Sequence, residues 1–175
     1  MRVIAGEFRS RRLKSAPGLD TRPTPDRLRE SLFNILTPVM DGARFLDAYA
    51  GTGAVGIEAL SRGARHAWFL ERKRVAVEII RENLAGLGLE SRATVVTGPV
   101  LLTLARHPAD IVFLDPPYEQ EREYRSALEI LAENPPALTV VQHSVRFALD
   151  DAYGALGRIR TVRQGDNVLS FYTKK

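Results

Sequence analysis

Asp47-Ala48-Tyr49-Ala50-Gly51-Thr52-Gly53-Ala54-Val55-Gly56 follows a short apolar run and leads into an apolar helical stretch. Gly51, Gly53 and Gly56 fit the pattern G-x-G-x-x-G, in which missing side chains let the chain turn tightly and let a ligand approach the start of the helix. Working outward, a strand is expected over 44–47 and a helix over 55–62. The next strand, 67–71, ends on Glu71, 18 residues beyond Gly53. A carboxylate there can accept both ribose hydroxyls of an adenosine-containing ligand.

The alternation continues with strands over 93–97, 111–115 and 138–142 and helices over 74–87, 100–106 and 123–133. Short apolar runs alternating with amphipathic helices build a parallel sheet wrapped on both faces. The end of the chain differs: 159–163 and 168–173 flank Gln164-Gly165-Asp166-Asn167 as an antiparallel hairpin would. Ahead of the glycine loop, Thr24-Pro25-Asp26 reads as a helix start with Thr24 as N-cap, and Leu28, Leu32, Ile35, Leu36 and Val39 recur at helical spacing. Residues 2–5 and 11–13 can pair around Gly6.

Ala50, Gly51, Thr52 and Gly53 suit either a dinucleotide or S-adenosylmethionine, so the loop does not choose between them. Asp47 tilts the choice. A carboxylate at the tip of the first strand can hold a methionine ammonium group, whereas it would repel a pyrophosphate.

Asp115-Pro116-Pro117-Tyr118 closes the apolar run Ile111-Val112-Phe113-Leu114, beside the crevice where open α/β sheets bind ligands. Consecutive prolines fix the backbone and lack N–H donors, leaving the local carbonyls as acceptors. An exocyclic base amine is a poor nucleophile because its lone pair is delocalised into the ring. If Asp115 and the Pro116 carbonyl accept its two protons, the nitrogen can pyramidalise and aim that pair at a methyl group. Tyr118 offers a flat face on which an extruded base can stack.

Composition removes several other chemistries. Without cysteine there are no disulfides, thiolate metal sites, iron-sulfur clusters or cysteine nucleophiles, which excludes pyrimidine-C5 and radical methylation. His66, His107 and His143 are scattered, so no metal is expected. No apolar run reaches the roughly 18 residues of a membrane span, and the arginine-strewn N-terminus is unlike a signal peptide; a soluble cytoplasmic protein is expected. The length fits one domain, expected as a monomer, over 24–175 with a basic arm over 1–23.

Residues 1–30 hold eight basic and four acidic side chains, which accounts for the whole formal net charge of +4. A basic arm on a neutral body is the footprint of a polyanion partner, with Arg9, Arg11, Arg12, Arg22, Thr24 and Arg27 as candidate contacts.

Arg22-Pro23-Thr24, Asp26-Arg27-Leu28-Arg29-Glu30, Leu32-Phe33-Asn34, the run 50–62 and Asp115-Pro116-Pro117-Tyr118 together resemble the RsmD-type family of small-subunit ribosomal RNA guanine-N2 methyltransferases. The likeness covers nearly the whole chain. It implies a class I S-adenosylmethionine-dependent methyltransferase fold, Rossmann-like and mostly parallel with a C-terminal antiparallel hairpin. It also implies ribosomal RNA, or an assembling small subunit, as partner. Two departures stand out. Pro99 follows Gly98 where many relatives have an acid, so the main chain at Val100 is expected to contact the adenine instead, and Gln142 precedes His143-Ser144 where relatives often have an acid. Rival readings are an adenine-N6 methyltransferase, an NAD-dependent oxidoreductase, and a non-catalytic RNA-binding assembly protein.

Overall fold

The computed structural model describes residues 1–15, 24–117 and 119–175. The expectations placed on Arg22 and Tyr118 lie outside these residues. Eight strands form one sheet: β1 (Arg44–Ala48), β2 (His66–Glu71), β3 (Ala93–Thr97), β4 (Ile111–Leu114), β5 (Leu138–Ser144), β6 (Ala152–Tyr153), β7 (Leu156–Gln164) and β8 (Asn167–Lys174). Their order is β3-β2-β1-β4-β5-β8-β7-β6. The first five run parallel, while β8 inserts antiparallel beside β5 and pairs with β7 across a Gly165-Asp166 turn. The chain winds outward from β1 to β3, then returns to the other side of β1 as β4. A crevice therefore opens between the carboxyl ends of β1 and β4.

Helices cover both faces, which is why β1 and β4 are buried almost throughout. On one face α1 (Asp26–Met40), α2 (Ala54–Ser61) and α3 (Arg74–Leu87) pack against Phe45, Phe69 and Phe113. On the other, α4 (Val100–Thr103) and α5 (Glu121–Glu133) pack against Leu46, Leu70, Val112 and Leu114. Among the described residues, no helix is long and apolar enough to cross a membrane.

Three local expectations are corrected. Pro25, not Thr24, occupies the N-cap of α1, at φ −53° and ψ 141°, with no side-chain cap. The Thr24 hydroxyl is drawn away to donate to Gln142 Oε1 on β5 at 3.1 Å. On the same helix Val39 is 53% exposed and Met40 is buried, because the apolar stripe runs from Leu36 to the residue four positions on. The helix expected over 100–106 is one α-turn followed by a 3-10 turn, Leu104–Arg106, and the two-residue β6 carried no sequence signal.

The N-terminal segment is fastened to the body. Arg2 and Arg12 form an antiparallel bridge, and Val3 and Leu13 enter the core shared with α1 and α2. The wholly buried Glu58 carboxylate accepts the Ile4 and Ala5 amides at 2.8 and 3.0 Å, and the Arg62 Nε at 2.8 Å. Asn83 accepts the Lys14 amide at 2.7 Å and donates to the Lys14 and Thr52 carbonyls, tying the segment to the glycine loop. At its other end the segment turns at Gly6, φ 85°, where a Cβ would stand 2.0 Å from the Ser61 carbonyl oxygen. Nearby, Arg11 donates to the Gly86 carbonyl at 3.1 Å, and Glu7 pairs with Arg92. These neighbours sit at the ends of α2 and α3 and ahead of β3, so the tip of the arm lies at the amino ends of the strands, opposite the crevice.

Gly56 sets how closely α2 approaches the sheet, since a Cβ there would lie 2.3 Å from Phe69 Cε1. Phe69 is completely buried and cannot swing aside. Gly56→Ala is expected to cost about 1–3 kcal/mol by urea denaturation. In a double-mutant cycle Phe69→Leu should recover part of that loss; strict additivity would show that the contact is not the cause.

Candidate active site

β1 delivers Asp47 and then breaks into the glycine loop. Tyr49 and Gly51 adopt positive φ, 65° and 57°, and Gly53 at φ 81° caps the start of α2. The loop is stitched to β2 by the Ala50 amide, which donates to the Leu70 carbonyl at 3.0 Å. At the end of β2, buried Glu71 accepts the Gly51 amide through Oε2 and the Lys73 amide through Oε1, each at 2.9 Å. Each carboxylate oxygen keeps a further lone pair for a ligand hydroxyl.

Asp47 is 2% exposed and accepts the Gly56 amide in the first turn of α2 at 2.8 Å. Burial pushes its pKa well above the usual carboxylate range. The Gly56 hydrogen bond offsets part of that, and the charges of Asp115 and Glu71 push it further up. Asp115 follows β4, whose Leu114 pairs with Ala48 of β1, so the two aspartates stand at neighbouring strand ends. Burial raises Asp115 to about 7. Three carboxylates thus meet around one crevice, and main-chain amides donate to Asp47 and Glu71. Such a pocket suits a ligand that carries positive charge.

Pro116 is buried and Pro117 exposed. The Pro116 carbonyl already accepts a hydrogen bond at 2.9 Å from the hydroxyl of Tyr124, on α5. A carbonyl has two acceptor positions, so among the described residues one remains. The neighbouring residue, Glu123, accepts the Tyr49 hydroxyl through Oε1 at 2.9 Å. Tyr49, Glu123 and Tyr124 were missed in the sequence, where only their closeness to the glycine loop and to Asp115-Pro116-Pro117 hinted at them.

The expected cofactor residues fall at one end of the sheet: Asp47, Ala50, Gly51, Thr52 and Gly53 along the loop, Glu71 on β2, and Asp115 beyond β4. Val100 is buried at the first position of α4, where helical amides lack acceptors within the helix. The expected RNA contacts are divided. Arg27 is exposed on the first turn of α1 and Thr24 lies beside Gln142, both near the crevice, whereas exposed Arg9 and Arg11 sit toward the far tip of the arm and Arg12 along its returning strand. Among the described residues, no group of three or more His, Asp or Glu side chains could hold a metal ion.

Comparison with known proteins fits this arrangement. A family model described as Conserved hypothetical protein 95 matches residues 1–173. The Bacillus subtilis protein YlbH is 35% identical over 100% of both chains. Ribosomal RNA small subunit methyltransferase D of Escherichia coli is 44% identical over 69% of this chain and 61% of its own length. The solved structure of the Escherichia coli protein yhhF superposes with a TM-score of 0.87 at 34% identity, covering 100% of this chain and 98% of that one. With a match that runs from the arm through the final hairpin, this chain belongs to the RsmD family of ribosomal RNA small subunit methyltransferases.

Proposed function

We propose that this chain transfers a methyl group from S-adenosylmethionine to an exocyclic amine of an RNA base, guanine N2 of small-subunit ribosomal RNA. The observation that carries the reading is the pair of acceptors beyond β4, the Asp115 carboxylate and the free side of the Pro116 carbonyl, one strand from Asp47 and two from Glu71. Kinship with relatives named for small-subunit RNA supports the substrate, and guanine over adenine rests on that kinship.

The acidic pocket fits the cofactor's charges. Asp47 would face the ammonium group, Glu71 would accept the ribose hydroxyls, and the main chain at Val100 would meet the adenine. When bound, the cofactor supplies an electrophilic methyl carbon whose bond to sulfur breaks as the bond to nitrogen forms. Asp115 and the Pro116 carbonyl accept the amine protons and free the nitrogen lone pair, and Asp115 or water takes the proton that leaves. Tyr118 is proposed to stack the base. Because the donor is already reactive, in-line positioning at about 3–3.5 Å supplies much of the acceleration.

Asp115→Ala is expected to lower methyl incorporation into small-subunit ribosomal RNA at least ~100-fold, the scale of losing an oriented polar group at a reacting centre. Isothermal titration with S-adenosylmethionine should still show binding. Undiminished methylation by this variant overturns the mechanism.

The raised pKa of Asp115 adds a pH signature. Only the carboxylate accepts protons from the amine, so kcat/KM should fall on the acid side of about 7. The folded chain also holds a proton on Asp115 that the unfolded chain releases at lower pH, so this residue's contribution to stability declines as pH rises from the ordinary carboxylate range through about 7. Asp115→Asn should therefore melt above the wild type at pH 8, with the gap narrowing below pH 7 and closing only near the ordinary carboxylate pKa of about 4; a gap that does not depend on pH contradicts the assignment.

For the arm, we propose that Arg9, Arg11 and Arg12 meet RNA phosphates roughly 20 Å from the crevice, about the length of a six-residue strand. Replacing all three with alanine should weaken RNA binding and flatten the slope of log K against log salt by about 2–3. An unchanged slope removes the arm from the interface.

A further inference from the structure

Glu123 and Tyr124 are consecutive residues in the first turn of α5, and their side chains reach two different loops. Glu123 accepts the hydroxyl of Tyr49 in the glycine loop, while Tyr124 donates to the carbonyl of Pro116 in the turn beyond β4, both at 2.9 Å. We infer that this turn of α5 is a clamp that fixes the cofactor loop and the substrate-accepting turn relative to each other, with Tyr124 as the positioning residue for the target amine. The inference rests on the reading of Asp115 and Pro116 as amine acceptors.

Each arm of the clamp is itself held. Tyr49 has φ 65°, a conformation that glycine takes without strain and that a bulky residue adopts only at a cost. Its ring packs against the α4–α5 core and its hydroxyl is bonded to Glu123, so the side chain has a use at a position where glycine would be easier. Tyr124 is 1% exposed, and its ring lies 5.2 Å from that of Phe147, which in turn meets His143 edge-on. The Tyr124 hydroxyl therefore has little freedom. It occupies one acceptor position of the Pro116 carbonyl and leaves the other to an incoming N–H. Pro117 contributes no donor that could compete.

The two contacts should separate kinetically. Tyr124→Phe deletes one hydroxyl and keeps the ring. Its kcat for methylation of small-subunit ribosomal RNA should fall on the order of tenfold, the scale of one lost hydrogen bond to a buried acceptor, with KM and Kd for S-adenosylmethionine unchanged. Tyr49→Phe should do the reverse, weakening S-adenosylmethionine several-fold by titration while kcat at saturating cofactor stays near wild type. A wild-type kcat for Tyr124→Phe, or equal losses of cofactor affinity and kcat in both variants, overturns the clamp. Should Tyr124→Phe fail to fold, Glu123→Ala carries the test, because it removes the acceptor of the Tyr49 hydroxyl and leaves Tyr124 in place; unchanged cofactor affinity in that variant then counts against the clamp. A wild-type protein that transfers no methyl at all sinks the underlying reading together with the clamp, whereas an active wild type with an indifferent Tyr124→Phe sinks the clamp alone.

Discussion

Carboxylates repel one another most where water is scarce, and this fold brings Asp47, Glu71 and Asp115 to the ends of three adjacent strands. Burial and mutual charge raise Asp47, and burial raises Asp115, so the crevice stores unfavourable electrostatic energy that a cationic ligand can relieve. What makes the cluster tolerable is main-chain hydrogen bonding. Gly56 donates to Asp47, and Gly51 and Lys73 donate to Glu71. Amides supply partial rather than full positive charge, so the pocket is held together without being neutralised. The glycine loop must therefore lie close against both strands, and Gly56 in turn must lie flush on Phe69.

The other end of α2 is anchored by a buried carboxylate of a different kind. Glu58 is closed off by two amides of the N-terminal segment and by Arg62. Removing that segment would take two of three hydrogen bonds from the Glu58 carboxylate and leave only Arg62, so its attachment belongs to the stability of the fold as well as to any grip on RNA. Asn83 links the segment back to Thr52, so arm, helix and loop share one hydrogen-bonded frame.

Much of this was legible in the sequence because local periodicity and burial agree. The helix over 74–87 and the strand over 93–97 have the expected bounds: the helix turns one apolar stripe to a single core, and the strand alternates, Ala93 and Val95 to one core and Val96 to the other. Glu71 and Asp115 could be placed at strand ends from spacing alone. Thr24 could not, because its hydroxyl answers to Gln142 more than a hundred residues away. Tyr124 escaped notice for the same reason: an aromatic residue on an amphipathic helix reads as core, and only the assembled sheet reveals what its hydroxyl touches. The two-residue β6 exists only because the β7–β8 hairpin offers it an edge.

That outer margin has a consequence of its own. Beyond β6, β7 is kinked by a bulge in its pairing with β8 between Arg158 and Arg160, and it is studded with exposed Arg160 and Arg163. A kinked, cationic border is a poor template for a stray strand from another chain. The sheet thus ends on that side in a border ill-suited to main-chain pairing, whose guanidinium groups stay compatible with a polyanionic neighbour.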